Sequence, residues 1–415
     1  MKRKIIAITI TTILSTAAMA HNIGHKHEHV EGGWNSAAGF VSDTDINNKL
    51  WNPRGKTTED YKKRAKIVAQ MSGSDRTEAD MAKDVKTIAR YQDAIVINSL
   101  LPSLVGVQGG AEKHLTAALK QSKDANITLI SGSVFGYPGV NDVSMEDTIE
   151  RSDKVLKQMG IEKVNSVADI RKAKSENKIA AMYNTQGADF VIEDMSKVAR
   201  AKQQGIQVMN FTYNNDNALA GGGQNPEENG VTDLGKEFIK NANEQGVIID
   251  CSHSSSQTCV DAAKYSTKPI MASHSNTQGI YDIGRNVSDE AILAIGKTGG
   301  VVCTNGVGMF MNKEGKASME AIAEHVVYTA KLIGKDKTCY GSDKVHHMED
   351  LMVKALPFPD LYPPEKGFGA FLQSATGADI WGIVRVLEDK YNWNEQEIRG
   401  FLGENLMRVY AANWK

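Results

Sequence analysis

Two histidines follow two apolar runs, His253 after residues 247–251 and His274 after residues 269–272. An apolar run that changes abruptly to Ser-His is typical of a buried strand that presents an imidazole at its carboxyl end. The intervening residues 254–267 have room for one helix. Two parallel strands joined by a helix end at the same edge of a sheet, so the imidazoles are expected to lie together. One such histidine more often caps its strand, but a pair favours a metal site.

The elements that must position these histidines repeat along the chain. Apolar runs of strand length alternate with stretches of helical periodicity. Gly205, Gly246 and Gly334 lie where helices are expected to end. This α/β alternation predicts a (β/α)8 TIM barrel; an open doubly wound sheet is the alternative, weakened because no Gly-x-Gly-x-x-Gly follows the first run. The predicted strands are residues 94–97, 127–130, 178–183, 206–212, 247–251, 269–272, 300–304 and 338–341.

The amino-terminal residues are not expected to belong to the barrel. Residues 1–20 have the basic start, apolar centre and small-residue cleavage site, ending at Ala20, of a signal peptide. The protein is therefore expected to be periplasmic or secreted. Residues 21–56 follow as a His-rich segment, with four of the ten histidines between positions 21 and 29, and are expected to be flexible and to bind metal loosely.

Residues 57–415 are predicted to form a single barrel domain with extra helices at both ends. Two amphipathic helices are predicted at residues 57–71 and 75–92, and they are expected to cover the bottom of the barrel. Residues 378–390 and 394–413 are predicted to be the terminal helices.

The composition is that of an ordinary globular protein. Of the 415 residues 41% are hydrophobic and 24% are charged, and the formal net charge is -2. This balance gives no electrostatic case for binding nucleic acid or an anionic membrane surface. No stretch after residue 20 has the length and apolar character of a membrane span. The four cysteines match no zinc-binding spacing, and the sequence leaves open whether they are buried thiols or disulfide bridges.

The predicted strand ends carry further polar residues. In a barrel of this kind, the chemistry lies on the loops at the carboxyl ends of the strands. Besides the histidines, these ends include Gln186, Tyr213 and Asp343, and Arg285 lies on the loop that follows His274. Two imidazoles, a carboxylate and a guanidinium at one mouth suit a metal hydrolase whose substrate carries a carboxylate.

Several ordered motifs resemble the membrane (renal) dipeptidase family. They are Gly230-Val-Thr-Asp-Leu-Gly-Lys-Glu, Ile249-Asp-Cys-Ser-His253-Ser, Ser273-His274-Ser-Asn, Arg285-Asn-Val-Ser-Asp289, Gly341-Ser-Asp343 and Gly403-Glu-Asn-Leu-Met-Arg408. The resemblance implies a metal-dependent (β/α)8 barrel that hydrolyses dipeptides with two bridged zinc ions, and it suggests a homodimer. By the resemblance, His253 and His274 bind one zinc. Asp343 binds the other zinc and handles the catalytic proton, and Arg285 holds the substrate's carboxylate.

The chain departs from the family's pattern at the remaining positions. Ile97 and Ser99 replace a His-x-Asp pair, Gln186 replaces the bridging glutamate, and Tyr213 replaces a histidine that polarises the scissile carbonyl. Two dications about 3.5–4 Å apart need a bridging carboxylate to offset their repulsion, and an amide brings no charge. One of the two metal sites is therefore expected to be lost.

The resulting prediction is an exported, dipeptidase-like hydrolase with one zinc ion that acts on a dipeptide or similar small amide. The first alternative is an inactive barrel that binds a small carboxylate through Arg285. The second is a metal buffer built on the amino-terminal histidines. The predicted metal ligands are His253, His274, Asp343 and Gln186, the catalytic residues are Asp343 and Tyr213, and the substrate-binding residues are Arg285 and Tyr213.

Overall fold

The computed structural model describes residues 28–29, 51–74, 76–102, 112–136, 144–225, 227–360, 362 and 373–414. The predicted signal peptide and most of the His-rich segment (residues 21–27 and 30–50) lie outside these residues. Their predictions therefore stay predictions.

Eight parallel strands form the centre of the fold, and neighbours along the chain pair with each other. The last strand meets the first through Asn98, whose side chain exchanges 2.9 Å hydrogen bonds with the hydroxyl and the N–H of Ser342. The sheet is thus a nearly closed barrel, and the predicted (β/α)8 fold is confirmed. The strands are β1 (Ile97–Leu101), β2 (Leu129–Phe135), β3 (Ala180–Thr185), β4 (Ile206–Asn210), β5 (Ile248–Asp250), β6 (Met271–Ala272), β7 (Val301–Asn305) and β8 (Thr338–Gly341).

The helices begin where the sequence supplies hydroxyl caps. Ser144, Ser166, Ser255, Ser288 and Ser318 each accept a hydrogen bond from the backbone N–H three residues further on. The helices are α1 (Thr58–Met71), α2 (Glu78–Arg90), α3 (Glu112–Asp124), α4 (Met145–Gln158), α5 (Val167–Ser175), α6 (Lys197–Gln203), α7 (Asp233–Gln245), α8 (Ser256–Tyr265), α9 (Asp289–Lys297), α10 (Met319–Ile333), α11 (Met348–Ala355), α12 (Ile380–Asp389), α13 (Glu395–Arg399) and α14 (Asn405–Asn413).

The inside of the barrel has an apolar lower part and a polar upper part. Alternate strand residues point inward, because side chains alternate between the two faces of a strand. The lower residues form one buried cluster with α14, which closes the bottom: Ile97, Leu129, Met182, Val208, Ile248, Met271, Val301, Cys339, Leu406, Met407 and Tyr410. Nearer the mouth the strands carry the buried polar residues Ser99, Ser131, Asn184, Asn210 and Asp250.

The amino-terminal helices do not cover the bottom, so that expectation is wrong. Ala65 and Val68 of α1 share a buried cluster with Met348 and Met352 of α11, and Tyr213 at the mouth packs against it. Thus α1 covers the mouth instead. The segment of α2 is joined to that of α12 by two ion pairs, Arg76 with Asp379 at 2.7 Å and Asp84 with Arg385 at 3.0 Å.

Two of the four cysteines form a bridge. Cys303 on β7 and Cys339 on β8 are register partners in adjacent strands and form a disulfide. Cys251 and Cys259 are buried free thiols. The structure therefore settles a pairing that the sequence left open.

Candidate active site at the mouth of the barrel

The two histidines meet at the mouth as predicted. His253 lies just beyond the end of β5 and His274 just beyond the end of β6, and their Nε2 atoms are 2.8 Å apart. Both side chains are buried. Burial, together with the nearby Arg285 guanidinium, holds the pKa of both imidazoles well below the usual range. Both rings are therefore neutral near pH 7, which is the form that binds a metal ion.

The other nitrogen of each ring has a partner of its own. His253 Nδ1 lies 2.6 Å from Asn214 Oδ1, an oxygen that can only accept, so this nitrogen carries a proton. His274 Nδ1 lies 2.6 Å from the hydroxyl of Ser273. Because Nδ1 of His253 holds that ring's proton, its Nε2 is left as an acceptor directed at His274.

These imidazoles fit a metal ion as two converging nitrogen donors, but they do not complete a ligand set. Across the described residues, no group of three or more His, Cys, Asp and Glu side chains is arranged to hold a metal. The ligand roles of Asp343 and Gln186 stay predictions. Gln186 lies buried after β3, and its amide donates a 2.9 Å hydrogen bond to Ser133 on β2.

Arg285 is buried in the same region, with only 2% of its surface exposed. Its guanidinium donates to the His274 carbonyl at 2.9 Å and to the Ser275 hydroxyl at 3.0 Å, and lies 5.1 Å from the centre of the Phe310 ring. Its buried Nε–H has no hydrogen-bond partner. Within the described part of the chain, no carboxylate oxygen lies within 4.0 Å of it. A buried charge without a counter-ion is costly, which favours an anionic ligand here.

Asp343 follows β8 and faces the same mouth. Its Oδ2 accepts a 2.9 Å hydrogen bond from Asn305, whose amide also donates to the His274 carbonyl at 3.3 Å. Burial raises the pKa of Asp343 to about 6, although the Arg285 charge and the Asn305 hydrogen bond act to lower it. This carboxylate is therefore ionised near neutral pH and can accept a proton.

Tyr213 stacks on His253, with ring centres 4.4 Å apart and planes at 27°. Burial raises its pKa well above the ordinary value, and the neighbouring Tyr362 and Asp343 act in the same direction. Its hydroxyl therefore stays protonated and can donate a hydrogen bond. The structure brings Tyr213, His253, His274, Arg285 and Asp343 to one end of the barrel.

Three mouth residues have strained backbones. Asn214, His253 and Asp343 have φ of 65°, 70° and 51°, in the left-handed region that costs an L-residue on the order of 1–3 kcal/mol. A glycine allows the adjacent loop to press against them: a Cβ on Gly222 would lie 2.3 Å from the carbonyl oxygen of Asn214. Strain of this kind is typical of functional sites.

The first strand differs from its prediction in a way that affects the site. It was predicted at residues 94–97 but spans Ile97–Leu101, so Ile97 begins the strand and lies in the lower apolar part. Ser99 is buried within the barrel and donates to the Ser273 carbonyl oxygen at 2.5 Å. The mouth end of this strand carries Leu100 and Leu101, which have no metal-binding atoms. The described part of β1 therefore offers no ligand to a second metal.

Sequence reasoning placed Asn214 and Asn305 among the polar residues at the strand ends but gave no role to them, to Asp250 or to Ser273. Asn214 and Ser273 are adjacent to predicted site residues, and Asp250 and Asn305 end their strands. Their places near the site could therefore have been predicted from the sequence. Their long-range partners could not be predicted, because the bonds of Asn214, Asp250 and Asn305 to His253, Ser273 and Asp343 join residues 39, 23 and 38 positions apart.

Comparison with known proteins identifies the family. The sequence matches the family model of the membrane dipeptidases (peptidase family M19) over residues 112–354, which is more than half of the chain. The chain belongs to the membrane dipeptidase family. By family it is thus a dipeptidase-like hydrolase, and the resemblance noted in the motifs is confirmed.

Solved structures share the fold. An amidohydrolase from Pseudomonas aeruginosa has 24% identity and a TM-score of 0.66, over 78% of this chain and 98% of that one. The probable dipeptidase PvdM from Pseudomonas aeruginosa has 19% identity and a TM-score of 0.63, over 81% and 99%. A metallo peptidase from Rhodobacter sphaeroides, liganded with a phosphinate mimic of the dipeptide L-Ala-D-Ala, has 16% identity and a TM-score of 0.61, over 77% and 100%. In the described ranges of the present chain, none of the helices combines the length and apolar character that a membrane span needs.

Proposed function

We propose that this protein hydrolyses a dipeptide, or a similar small amide with a free carboxylate, using one metal ion held by His253 and His274. The observation that carries the proposal is the buried Arg285 guanidinium beside the two imidazoles. Two of its five N–H donors are used, in the hydrogen bonds to Ser275 and to the His274 carbonyl, and its buried Nε–H has no partner. A substrate carboxylate would supply the missing counter-charge.

Each side chain has a step that its surroundings support. Arg285 binds the carboxylate and so orients the amide. Asp343, held by Asn305, accepts a proton from the attacking water and returns it to the amine that leaves when the C–N bond breaks. Tyr213 donates a hydrogen bond to the oxygen of the scissile carbonyl as negative charge develops there. A bound zinc ion supplies Lewis acidity and makes water a stronger acid at neutral pH.

A second candidate is a barrel that binds a small carboxylate without cleaving it. It is favoured by the incomplete ligand set, because the described residues present two imidazoles and no third His, Cys, Asp or Glu in metal-binding geometry. The two candidates share Arg285 and differ in metal and turnover.

Export to an oxidising compartment belongs to the proposal as well. The first 20 residues have the pattern of a signal peptide, and the buried Cys303–Cys339 disulfide suits an oxidising compartment.

The test measures zinc content and hydrolysis on one dialysed sample of a chain that begins at Trp34, so that upstream histidines contribute no metal. The substrate panel includes L-Ala-D-Ala, because a mimic of this dipeptide was bound by the Rhodobacter sphaeroides protein. We expect about one zinc per chain and turnover. Arg285→Met should lower kcat/KM about 10–100-fold for free dipeptides and much less for dipeptides amidated at the carboxyl end, because a charged hydrogen bond is lost.

The matched control is Arg408→Met, which removes an exposed arginine far along the chain. Unchanged kcat/KM in Arg285→Met would contradict the role of Arg285. Dipeptides that raise the melting temperature but are not cleaved, with or without added zinc, would establish the binding protein instead.

A further inference from the structure

A lysine side chain joins the loop of Asp343 to the end of the helix that covers the mouth. Lys344 directly follows Asp343 in the loop after β8. Its ammonium donates a 2.5 Å hydrogen bond to the carbonyl of Ser72 and a 2.8 Å hydrogen bond to the hydroxyl of Ser374. The Ser374 hydroxyl donates in turn to the Ser72 carbonyl at 3.1 Å. The three groups therefore form one closed set of contacts.

The Ser72 carbonyl is a favourable acceptor for a cation, because Ser72 is the residue that ends α1. The last carbonyls of a helix have no partner within the helix and carry the negative end of its dipole. The last turn of α1 contains no basic residue of its own, so Lys344 supplies the cation from a distant part of the chain. Burial lowers the pKa of Lys344 to about 8, and the ammonium is therefore still charged at pH 7.

The backbone of Asp343 needs such an anchor. Its φ of 51° lies in the left-handed region, and a strained residue keeps this conformation only where its surroundings enforce it. On the strand side, the Asp343 N–H donates to the Leu100 carbonyl at 3.2 Å, and the Ser342 N–H donates to Asn98 at 2.9 Å. On the other side, the next side chain is Lys344, which is bound to the end of α1.

We propose that Lys344 is a positioning residue: by binding the end of α1, it holds Asp343 where its carboxylate can accept a proton. This inference rests on the proposed function, in which Asp343 is the proton acceptor. The same helix packs in one cluster with Tyr213, so a single contact keeps the cover and the carboxylate in a fixed relation. Arg285 is held separately, by the His274 carbonyl and a serine hydroxyl. Loss of the contact should therefore impair the chemical step and spare the binding of the substrate's carboxylate.

The experiment uses the full chain and the variant Lys344→Met, which keeps an apolar stem and removes the ammonium. We expect kcat for L-Ala-D-Ala on the zinc-loaded protein to fall about 10–100-fold, because a displacement on the order of 1 Å is enough for such a loss, while KM stays close to wild type. A second readout needs neither metal nor turnover. In the metal-free protein, hydrogen exchange of the Asp343 N–H should become about 10–100-fold faster, since the hydrogen bond of a charged group no longer holds the loop.

Lys202→Met is the matched control. The Lys202 ammonium likewise donates to a carbonyl at the end of a helix, that of Gly246 after α7, at 2.9 Å, and burial likewise lowers its pKa to about 8. Its other partner is Gln207 near the start of β4, at the opposite end of the barrel from the mouth. Lys202→Met should lose stability in urea as Lys344→Met does, but it should keep the wild-type kcat and the wild-type exchange rate at Asp343.

Two results would overturn the inference: wild-type kcat in Lys344→Met, or an equal loss of kcat in Lys202→Met, which would mean that general destabilisation is the cause. If Lys344→Met does not fold, Ser374→Ala takes its place, because it removes the hydroxyl that bonds both Lys344 and Ser72. It should lower kcat less, with KM unchanged. Wild-type kcat and exchange in Ser374→Ala would then overturn the inference.

The two proposals fail separately. A wild type that cleaves dipeptides, with equal kcat in Lys344→Met, contradicts only the positioning role. A wild type that cleaves no dipeptide contradicts the proposed function, and exchange at the Asp343 N–H still decides whether Lys344 holds this loop.

Discussion

The contact between Tyr213 and His253 fixes the position of a hydrogen-bond donor at the mouth of the barrel. The tyrosine stacks on the imidazole at 4.4 Å and packs under α1, so its ring position is fixed by apolar contacts. Its hydroxyl is buried and stays protonated. The ring and the hydroxyl therefore have separable roles, one in packing and the other in donating a hydrogen bond.

Tyr213→Phe keeps the ring and removes the donor. We expect kcat to fall about 100–1000-fold, the range seen when one donor to an oxyanion is removed, while zinc content and KM stay close to wild type. The measurement is steady-state kinetics on the zinc-loaded variant. Tyr362→Phe is the control, since Tyr362 lies in the same covering cluster. Equal kcat in Tyr213→Phe and the wild type would remove Tyr213 from the mechanism.

At this scale the sequence predicted which residue types meet but not how they are protonated. His253, His274, Asp343, Arg285 and Tyr213 follow from strand ends and family motifs. Which ring nitrogen carries the proton depends on the residue that bonds to it. For His253 that residue is Asn214, which lies 39 positions earlier and gives no local pattern in the sequence.

The strands β7 and β8 position two of the mouth residues, and the disulfide joins them. Cys303 and Cys339 are register partners, as are Asn305 and Gly341 two residues further on. Asn305 then bonds Asp343, the second residue after β8. The disulfide thus anchors the pair of strands whose ends hold the Asp343 carboxylate.

Reduction should destabilise the protein through this pair of strands. The bridge spans 36 residues of sequence, and closing a loop of this length contributes about 3–4 kcal/mol in the chain-entropy account. We expect urea unfolding of the wild type to shift by this amount with a phosphine reductant. The double variant Cys303→Ala, Cys339→Ala should not respond to the reductant. A wild type that is equally stable in both conditions would contradict the bridge's contribution.

Element types were predicted well and element positions less so. The eight apolar runs each produced a strand, because a buried parallel strand must be apolar on both faces. The first strand nevertheless extends to Leu101, because the polar pair Asn98-Ser99 ends the apolar run in the sequence although both residues are buried within the strand. The place of α1 depended on the partner helix α11, which lies nearly three hundred positions later, so an amphipathic pattern alone could not reveal it.

The molecule as a whole buries several neutral imidazoles, which should make it sensitive to acid. His325 on α10 is the example outside the mouth. Its Nδ1 accepts from the Thr277 N–H at 3.1 Å, and its Nε2 donates to the Met311 carbonyl at 3.2 Å. It therefore joins the loop after His274 to the segment after β7. Burial lowers its pKa to about 4 from an ordinary 6.5.

The sign of the effect follows from these two pKa values. Below pH 6.5 the unfolded chain takes up a proton at His325, but the folded protein does not until about pH 4. The stability contributed by the neutral ring is thus complete above pH 6.5 and is lost as the pH falls toward 4. At 1.36 kcal/mol per pKa unit, this difference corresponds to about 3 kcal/mol.

His325→Gln should lower stability at pH 7, because the two hydrogen bonds fit glutamine less well, and should weaken the loss between pH 6.5 and 4. The measurement is the free energy of unfolding in urea at several pH values for both proteins. His114→Gln is the control, because its ring is 31% exposed. If the wild type and His325→Gln lose stability in parallel across this range, groups other than His325 cause the acid sensitivity, and the buried His346 and His347, whose pKa values burial also lowers to about 4, are the next to test.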